Sequence, residues 1–262
     1  MSSNRKRLSA RLFLVKEMVV RDIRARYAGS GLGVFWAFAQ PVLWILLYAW
    51  VFGTILRIPV EKGYASFPEF LLAGLLPWMA IQEGISRAST ALTDNAAMVK
   101  KTVFPMETLV LSVVLAPFVN QLIGFAVFAV YLAWLGHLSL PWLLLAVPAL
   151  LLQLTLTFGV ACFAATVTTL FRDVAHGINI ALTVLFYATP IVYPAALIPA
   201  RYRWVLAANP IAHLVEWYRR VFTLHVLPEA SSVLYLTVFS CAAAILATAL
   251  FFRARPYFAD VI

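Results

Sequence analysis

Apolar residues in this chain come in long blocks rather than in short alternations with polar ones, and block length decides what they form. Residues 27–56, 108–136, 138–171 and 230–252 hold no charged side chain. Each block exceeds the about 20 residues that a helix rising 1.5 Å per residue needs to cross the hydrocarbon of a bilayer. Residues 174–200 are also uncharged, but Pro190, Pro194 and Pro199 lack the amide donor and restrict the residue before them, so this helix is predicted to end near Tyr193. The run 70–82 is too short alone. It predicts a helix from about Phe67 into the 80s, with Glu69 and Glu83 at its two interfaces and Arg87 one turn on to pair with Glu83. The pattern therefore predicts an all-α integral membrane protein. It has six transmembrane helices, at about 32–56, 67–90, 108–135, 142–170, 175–193 and 230–252, in a single domain over residues 1–262.

Three shorter segments carry a different period. In 11–27, Leu12, Val15, Val19, Ile23 and Tyr27 fall on one helical face, while Glu17, Arg21 and Arg24 fall elsewhere and Asp22 and Arg26 are spaced as an ion pair. This predicts an amphipathic helix lying on the membrane interface. Gly29, Gly31 and Gly33 come next, as a flexible connector or as a hinge packed closely before the first span. Their alternation suggests a phosphate loop, but Val34 stands where a dinucleotide fingerprint needs its third glycine. The preceding VVRDIRARY carries charges that no buried strand holds, and the chain has no Gly-Lys dipeptide. Residues 94–105 predict a short helix with Asp94 or Asn95 as N-cap, Lys100 and Lys101 near its C-terminus and Pro105 as the stop. Residues 210–222 predict another. Pro210 opens it, Ile211, Leu214, Val215, Tyr218 and Phe222 share a face, and Glu216 reaches Arg219 or Arg220.

Composition agrees with a membrane protein: 63% of the 262 residues are hydrophobic and 12% charged, against roughly half and a quarter in soluble domains. The net charge of +9 would suggest nucleic acid in a soluble chain, so its distribution has to arbitrate. With a cytoplasmic N-terminus the inner segments hold fourteen Lys and Arg and the outer ones six, which places both termini in the cytoplasm and explains the charge without nucleic acid. Lys16 and Glu17 interrupt the first apolar stretch, which argues against a cleavable signal peptide. Cys162 and Cys241 form no CxxC and both lie in apolar runs, so neither a disulfide framework nor a metal site is expected. Metalloprotease, aspartate-pair and nucleophile-elbow motifs are absent, and His176 and Glu83 are too few for a proton relay. No catalytic residue is assigned, and energy for transport has to come from a partner.

Four stretches together resemble the ABC-2-type permeases that export bacterial cell-surface polysaccharides such as O-antigen, capsule and teichoic acid. They are RDIRARYAGSGLGVFWAFAQP, NAAMVKKTVFP, LFRDVAHGINIALTVLFYATPIVYP and NPIAHLVEWYRRVF, in that order along nearly the whole chain. The resemblance implies a channel subunit in the bacterial inner membrane that moves a lipid-linked polysaccharide out of the cytoplasm. It also implies a homodimer joined to two separate ATPase subunits that bind ATP and Mg, and it leaves room for periplasmic or outer-membrane export partners. Six helices can hardly surround a hydrated polymer, which points to the homodimer independently. By resemblance, 94–105 with Asn95, Val99, Lys100 and Lys101 is a coupling helix; an ordinary loop whose lysines anchor topology is the other reading. Arg172 and Asp173 are a second ATPase contact or an interfacial stop. Arg21, Asp22, Arg26, Tyr27, Gly31 and Gly33 form the interface helix and its hinge. Residues 195–226, with Pro210, Glu216, Arg219 and Arg220, form an outer-side element that by resemblance dips back into the outer leaflet.

Trp44, Tyr48 and Phe52 recur at i, i+4 and i+8. Aromatic faces with polar edges can line a sugar path, or the stripe can pack on lipid or a neighbouring helix. Two alternatives to polysaccharide export are an ABC-2 permease for a drug or lipid, and a membrane-embedded glycan-processing enzyme. The enzyme would need an acid/base cluster among Glu216, His213 and His225.

Overall fold

The computed structural model describes residues 2–27, 35–57, 64, 66–100 and 104–262. The described residues form helices and connecting turns, without a strand. In chain order these are α1 (Ser2–Tyr27), α2 (Phe35–Tyr48), α3 (Phe67–Asp94), α4 (Ala96–Val99), α5 (Met106–Trp134), α6 (Leu140–Leu144), α7 (Ala146–Leu170), α8 (Val174–Ala188), α9 (Arg203–Ala208), α10 (Pro210–Arg219) and α11 (Ala230–Val261). A π-helical turn, Ala49–Ile55, continues α2, and a second, Arg220–Leu224, continues α10. Three helical stretches, Met106–Trp134, Leu140–Leu170 and Ala230–Val261, are long and apolar enough to cross a membrane, and Val174–Ala188 is apolar but shorter. Helix α3 has the length, 28 residues, but carries Glu69, Glu83 and Arg87 along it.

Helices α3, α5, α7 and α11 make the body, with α11 laid along α7, α3 on both α5 and α7, and α1 across α5. The α7–α11 seam is close because Gly159 has no side chain: a Cβ there would stand 2.7 Å from the Ala244 Cα. Small residues at such a crossing let backbones meet where lipid offers no hydrophobic drive. Buried polar side chains join the other helices. Gln121 of α5 and Gln153 of α7 exchange amide hydrogen bonds of 2.9 and 2.7 Å. Gln153 also donates to the Pro77 carbonyl of α3 at 3.1 Å and accepts from the Tyr218 hydroxyl of α10 at 2.6 Å. In a low-dielectric interior such groups are costly unless bonded.

Several element ends differ from the sequence expectation. Helix α8 stops at Ala188, not near Tyr193, because Thr189 precedes Pro190 and is already extended at φ −102°, ψ 132°. Helix α11 continues past the predicted span, 230–252, to Val261 and runs through Pro256. Of the 94–105 helix the described residues show α4, and the Asn95 amide donates to the Ala91 carbonyl at 2.9 Å and finishes α3 instead of capping α4. On α1 the side that meets protein is distinct from the apolar face read in the sequence, sharing Val15 with it. Val15 and Met18 are the buried residues, whereas Leu12 and Phe13 are each 61% exposed. Residues 11, 15, 18 and 22 lie along one ridge at 100° per residue, so α1 docks by that ridge and turns its other apolar side outward.

Candidate functional site

Two ion-pair groups hold α1 to the body. At one end Arg11 meets Glu107 of α5 at 3.4 Å, and Glu107 in turn meets Arg255 of α11 at 3.4 Å. At the other, Arg87 of α3 donates from Nη1 to Asp22 at 2.7 Å and to Glu83 at 3.4 Å, with a further short bond from Nη2 to Asp22. The expected Glu83–Arg87 pair is present, and Asp22 is held across to α3. Arg21 is exposed beside it.

The α4 segment and the α7–α8 turn lie at this same end, since α3 runs into the first and α8 leaves the second antiparallel to it. Val99 is 1% exposed and seated against the body, while Lys100 is exposed. Arg172 and Asp173 are exposed, in a turn closed by the Val174 amide on the Phe171 carbonyl at 3.0 Å. Gly31, Gly33 and Lys101 lie outside the described residues, as do the side chains of Arg26, Tyr27, Trp44 and Tyr48. Phe52 lies in the π-helical turn that continues α2. Its ring stacks on Phe67 at 6.1 Å.

Sequence reasoning missed a polar stripe on α8. His176, Asn179, Thr183 and Tyr187 succeed each other at i, i+3, i+7 and i+11 and are all exposed, so they line one side of the helix over about 16 Å. Helix α3 extends the stripe. Ser86 donates to the Asn179 side-chain oxygen at 2.6 Å, and the exposed Gln82 accepts from the Trp78 indole at 2.8 Å. Leu182 is the one buried residue of α8. Asn179 and Thr183 also donate back to the Ala175 and Asn179 carbonyls at 3.0 and 2.9 Å, which lowers their cost in an apolar surrounding and leaves their remaining acceptor positions on the exposed side of the helix. The signal was present as polar positions at helical spacing, but they are sparse within an apolar run.

At the opposite end α10 matches its expected pattern. Asn209 caps it by accepting from the Ile211 amide at 2.9 Å, Pro210 occupies the first turn, and Ile211, Leu214, Val215, Tyr218 and Phe222 are all buried. The neighbouring arginines divide. Arg220 pairs with Glu216 at 2.9 Å and Glu229 at 2.7 Å, and its hydrogen bond to Glu216 raises its pKa above the usual arginine value. Arg219 is 2% exposed; it donates to the Phe70 and Ile191 carbonyls at 3.2 and 2.8 Å and lies 3.6 Å over the Phe70 ring. A cleft of about 490 Å³ beside them holds Glu69, His137 and His225, with the first two 2.8 Å apart.

The candidate enzyme residues are engaged separately. Glu216 is held by Arg220, and both ring nitrogens of His213 are within 3.0 Å of Ser232 and the Ala207 carbonyl. His225 sits in the left-handed region at φ 52° with its ring 6.0 Å from Trp142. Among the described residues no three His, Cys, Asp or Glu converge as metal ligands would.

The family model for the ABC-2 type transporter matches residues 14–223. The chain is 31% identical over 251 residues to the O-antigen export system permease protein RfbA of Myxococcus xanthus, covering 95% of each. It is 30% identical over 245 residues to the protein of the same name in Klebsiella pneumoniae, covering 92% of each. It is 25% identical over 248 residues to the polysialic acid transport protein KpsM of Escherichia coli, covering 90% of this chain and 92% of that one.

Proposed function

The chain belongs to the ABC-2 type transporter family, and from that premise we propose that two copies form the membrane conduit of an ATP-driven exporter of an O-antigen-type or capsular polysaccharide. Relatives over nine-tenths of the chain carry O-antigen export and polysialic acid transport in their names, and the chain is a permease of that kind. The observation that carries the reading is the exposed polar stripe His176, Asn179, Thr183 and Tyr187 with Gln82 of α3. Amides and hydroxyls at this spacing can exchange hydrogen bonds with a sliding sugar chain as water does. One copy bears the stripe on its outside and cannot enclose a polymer. A second copy facing it can, and α2 with the π-helical turn that continues it, where Leu43, Leu46 and Trp50 are exposed, offers an apolar flank for the contact.

Each copy spans the inner membrane six times with both termini in the cytoplasm, as the excess of Lys and Arg in the inner segments supports. The α4 segment and the Arg172–Asp173 turn then face the cytoplasm, where two separate ATPase subunits dock and supply ATP and Mg chemistry. The permease itself is non-catalytic.

Cysteine accessibility tests the conduit. In a Cys241→Ser background, Thr183→Cys should react with a charged, membrane-impermeant thiol reagent, and the modification should block export. Ile245→Cys, on α11 and 67% exposed, should stay unreactive because lipid covers it. Equal, slow labelling at both positions would put the stripe in lipid or in a dry interface and refute the conduit.

A further inference from the structure

Under α1 lies a cavity of about 280 Å³ between α1, α3 and α5. Arg21 and Asp22 enter it from α1, Arg87, Thr90 and Asp94 from α3, and Ser112 from α5, with the Asn95 amide at its edge. The charged groups are arranged in two sets. Asp22 and Arg87 neutralise each other within the wall, whereas Arg21 and Asp94, of opposite sign, are both exposed. A simple anion entering here meets Asp94, and a simple cation meets Arg21. A ligand carrying both charges on a short arm satisfies both.

Size and position narrow the choice. The cavity has the volume of about nine waters at about 30 Å³ each, room for the about eight heavy atoms of a phosphate joined to a two-carbon amine. Helix α1 docks by its Val15 and Met18 side and leaves Leu12 and Phe13 exposed, the arrangement of a helix lying at headgroup depth. The cavity therefore opens where phospholipid headgroups are. A primary ammonium has three N–H donors for Asp94, Thr90 and Ser112. A quaternary one has none, and no aromatic side chain among the described lining residues offers a cation–π contact in exchange.

We propose that this cavity is a binding site for the phosphoethanolamine headgroup of a membrane phospholipid, with the phosphate on Arg21 and the ammonium on Asp94. The site would fasten α1 to the leaflet on which it lies. The inference takes from the proposed function only that α1 rests on a membrane surface, so retention of lipid can fail while export stands.

The test is native mass spectrometry of the full-length chain released from nanodiscs of phosphatidylethanolamine, phosphatidylcholine and phosphatidylglycerol in equal parts with identical acyl chains. Retained ethanolamine lipid should exceed each of the others by roughly tenfold, the worth of one charge-assisted hydrogen bond. The Arg21→Gln/Asp94→Asn variant should lose that preference, while Arg172→Gln/Asp173→Asn, exposed on the α7–α8 turn, should keep it. Arg21→Lys/Asp94→Glu should restore part of it, which separates lost charge from lost fold. Equal retention of the three lipids, preference for the glycerol lipid, or a preference unchanged in Arg21→Gln/Asp94→Asn would each overturn the proposal. Displacement of the lipid by micromolar glycerophosphoethanolamine would show a site for the free phosphoamine and refute the membrane source.

Discussion

Gly159→Ala is a small substitution at the position where the α7–α11 seam leaves least room. The added Cβ would stand 2.7 and 2.8 Å from the Ala244 Cα and N and 3.0 Å from the Ala243 carbonyl carbon. All three are backbone atoms, so no side chain can rotate away and α11 itself has to move by nearly 1 Å to restore ordinary contact. Elsewhere α11 is held by the burial of Leu236, Ser240, Ala247, Phe251 and Phe258, by the Arg255–Glu107 pair and by the Tyr235 hydroxyl on the Ala208 carbonyl, but its closest backbone approach is at Gly159. Overpacking of this kind costs about 1–3 kcal/mol, offset by at most about 1 kcal/mol from the better helix propensity of alanine. The net loss of about 1–2 kcal/mol corresponds to a melting temperature lower by roughly 2–8 °C. Cys162 supplies the assay, since it lies on α7 one turn from Gly159 and is 1% exposed. With Cys241 replaced by Ser, a thiol-reactive dye reports the temperature at which the seam opens. Gly177→Ala is the control, because nothing lies within 4 Å of a Cβ there, and it should melt at or slightly above wild type. A Gly159→Ala protein that melts with that control would refute the claim that backbone contact holds α11.

The polar links give two further expected outcomes. Gln153→Leu removes the partner of Gln121, Tyr218 and the Pro77 carbonyl at once and should lower stability by about 2–4 kcal/mol in the same melt, whereas Gln121→Leu/Gln153→Leu/Tyr218→Phe should recover part of it by leaving no orphaned amide; a triple variant no better than the single one would refute the network. Asp22→Arg and Arg87→Asp should each loosen α1, seen as faster protease cleavage within it, while the double exchange should restore protection, with a coupling of about 1 kcal/mol for a partly exposed pair; additive effects would show that the pair does not hold the helix.

What could be read in the sequence was what local chemistry determines. Uncharged block length gave the long helices. Proline gave the end of α8, where the first of three, Pro190, did the stopping, whereas α3, α5 and α11 run through theirs. The apolar face and first-turn proline of α10 were legible because both are encoded within residues 210–222, whereas its Asn209 cap and the π-helical turn that follows Arg219 were not. Asn95 was misread because its amide can serve the helix before it as well as the one after it, and α3, with seven turns already formed, was the stronger claimant. The docking ridge of α1 was not legible because hydrophobicity marks which residues avoid water and does not separate those touching protein from those touching lipid. Arg219 and Arg220 have identical propensities. One step of 100° along α10 sends one beneath the Phe70 ring and the other to Glu216.

Contacts between residues distant in the chain were beyond that reach, and they bear most directly on how the two ends of the molecule communicate. Arg87 fastens α3 to Asp22 of α1 at one end. Toward the other, Phe70 and Pro77 of the same helix accept from Arg219 of α10 and Gln153 of α7. The whole of α3 is 28 residues long, and the stretch of it from Phe70 to Arg87 covers about 26 Å. Pro77 removes one backbone bond inside it, and the body packs around that point, with Leu76 and Trp78 buried on either side. The polar stripe of α8 is bonded to the same helix through Ser86 and Asn179, so α3 makes direct side-chain contact with α1, α7, α8 and α10, four elements far apart in the chain.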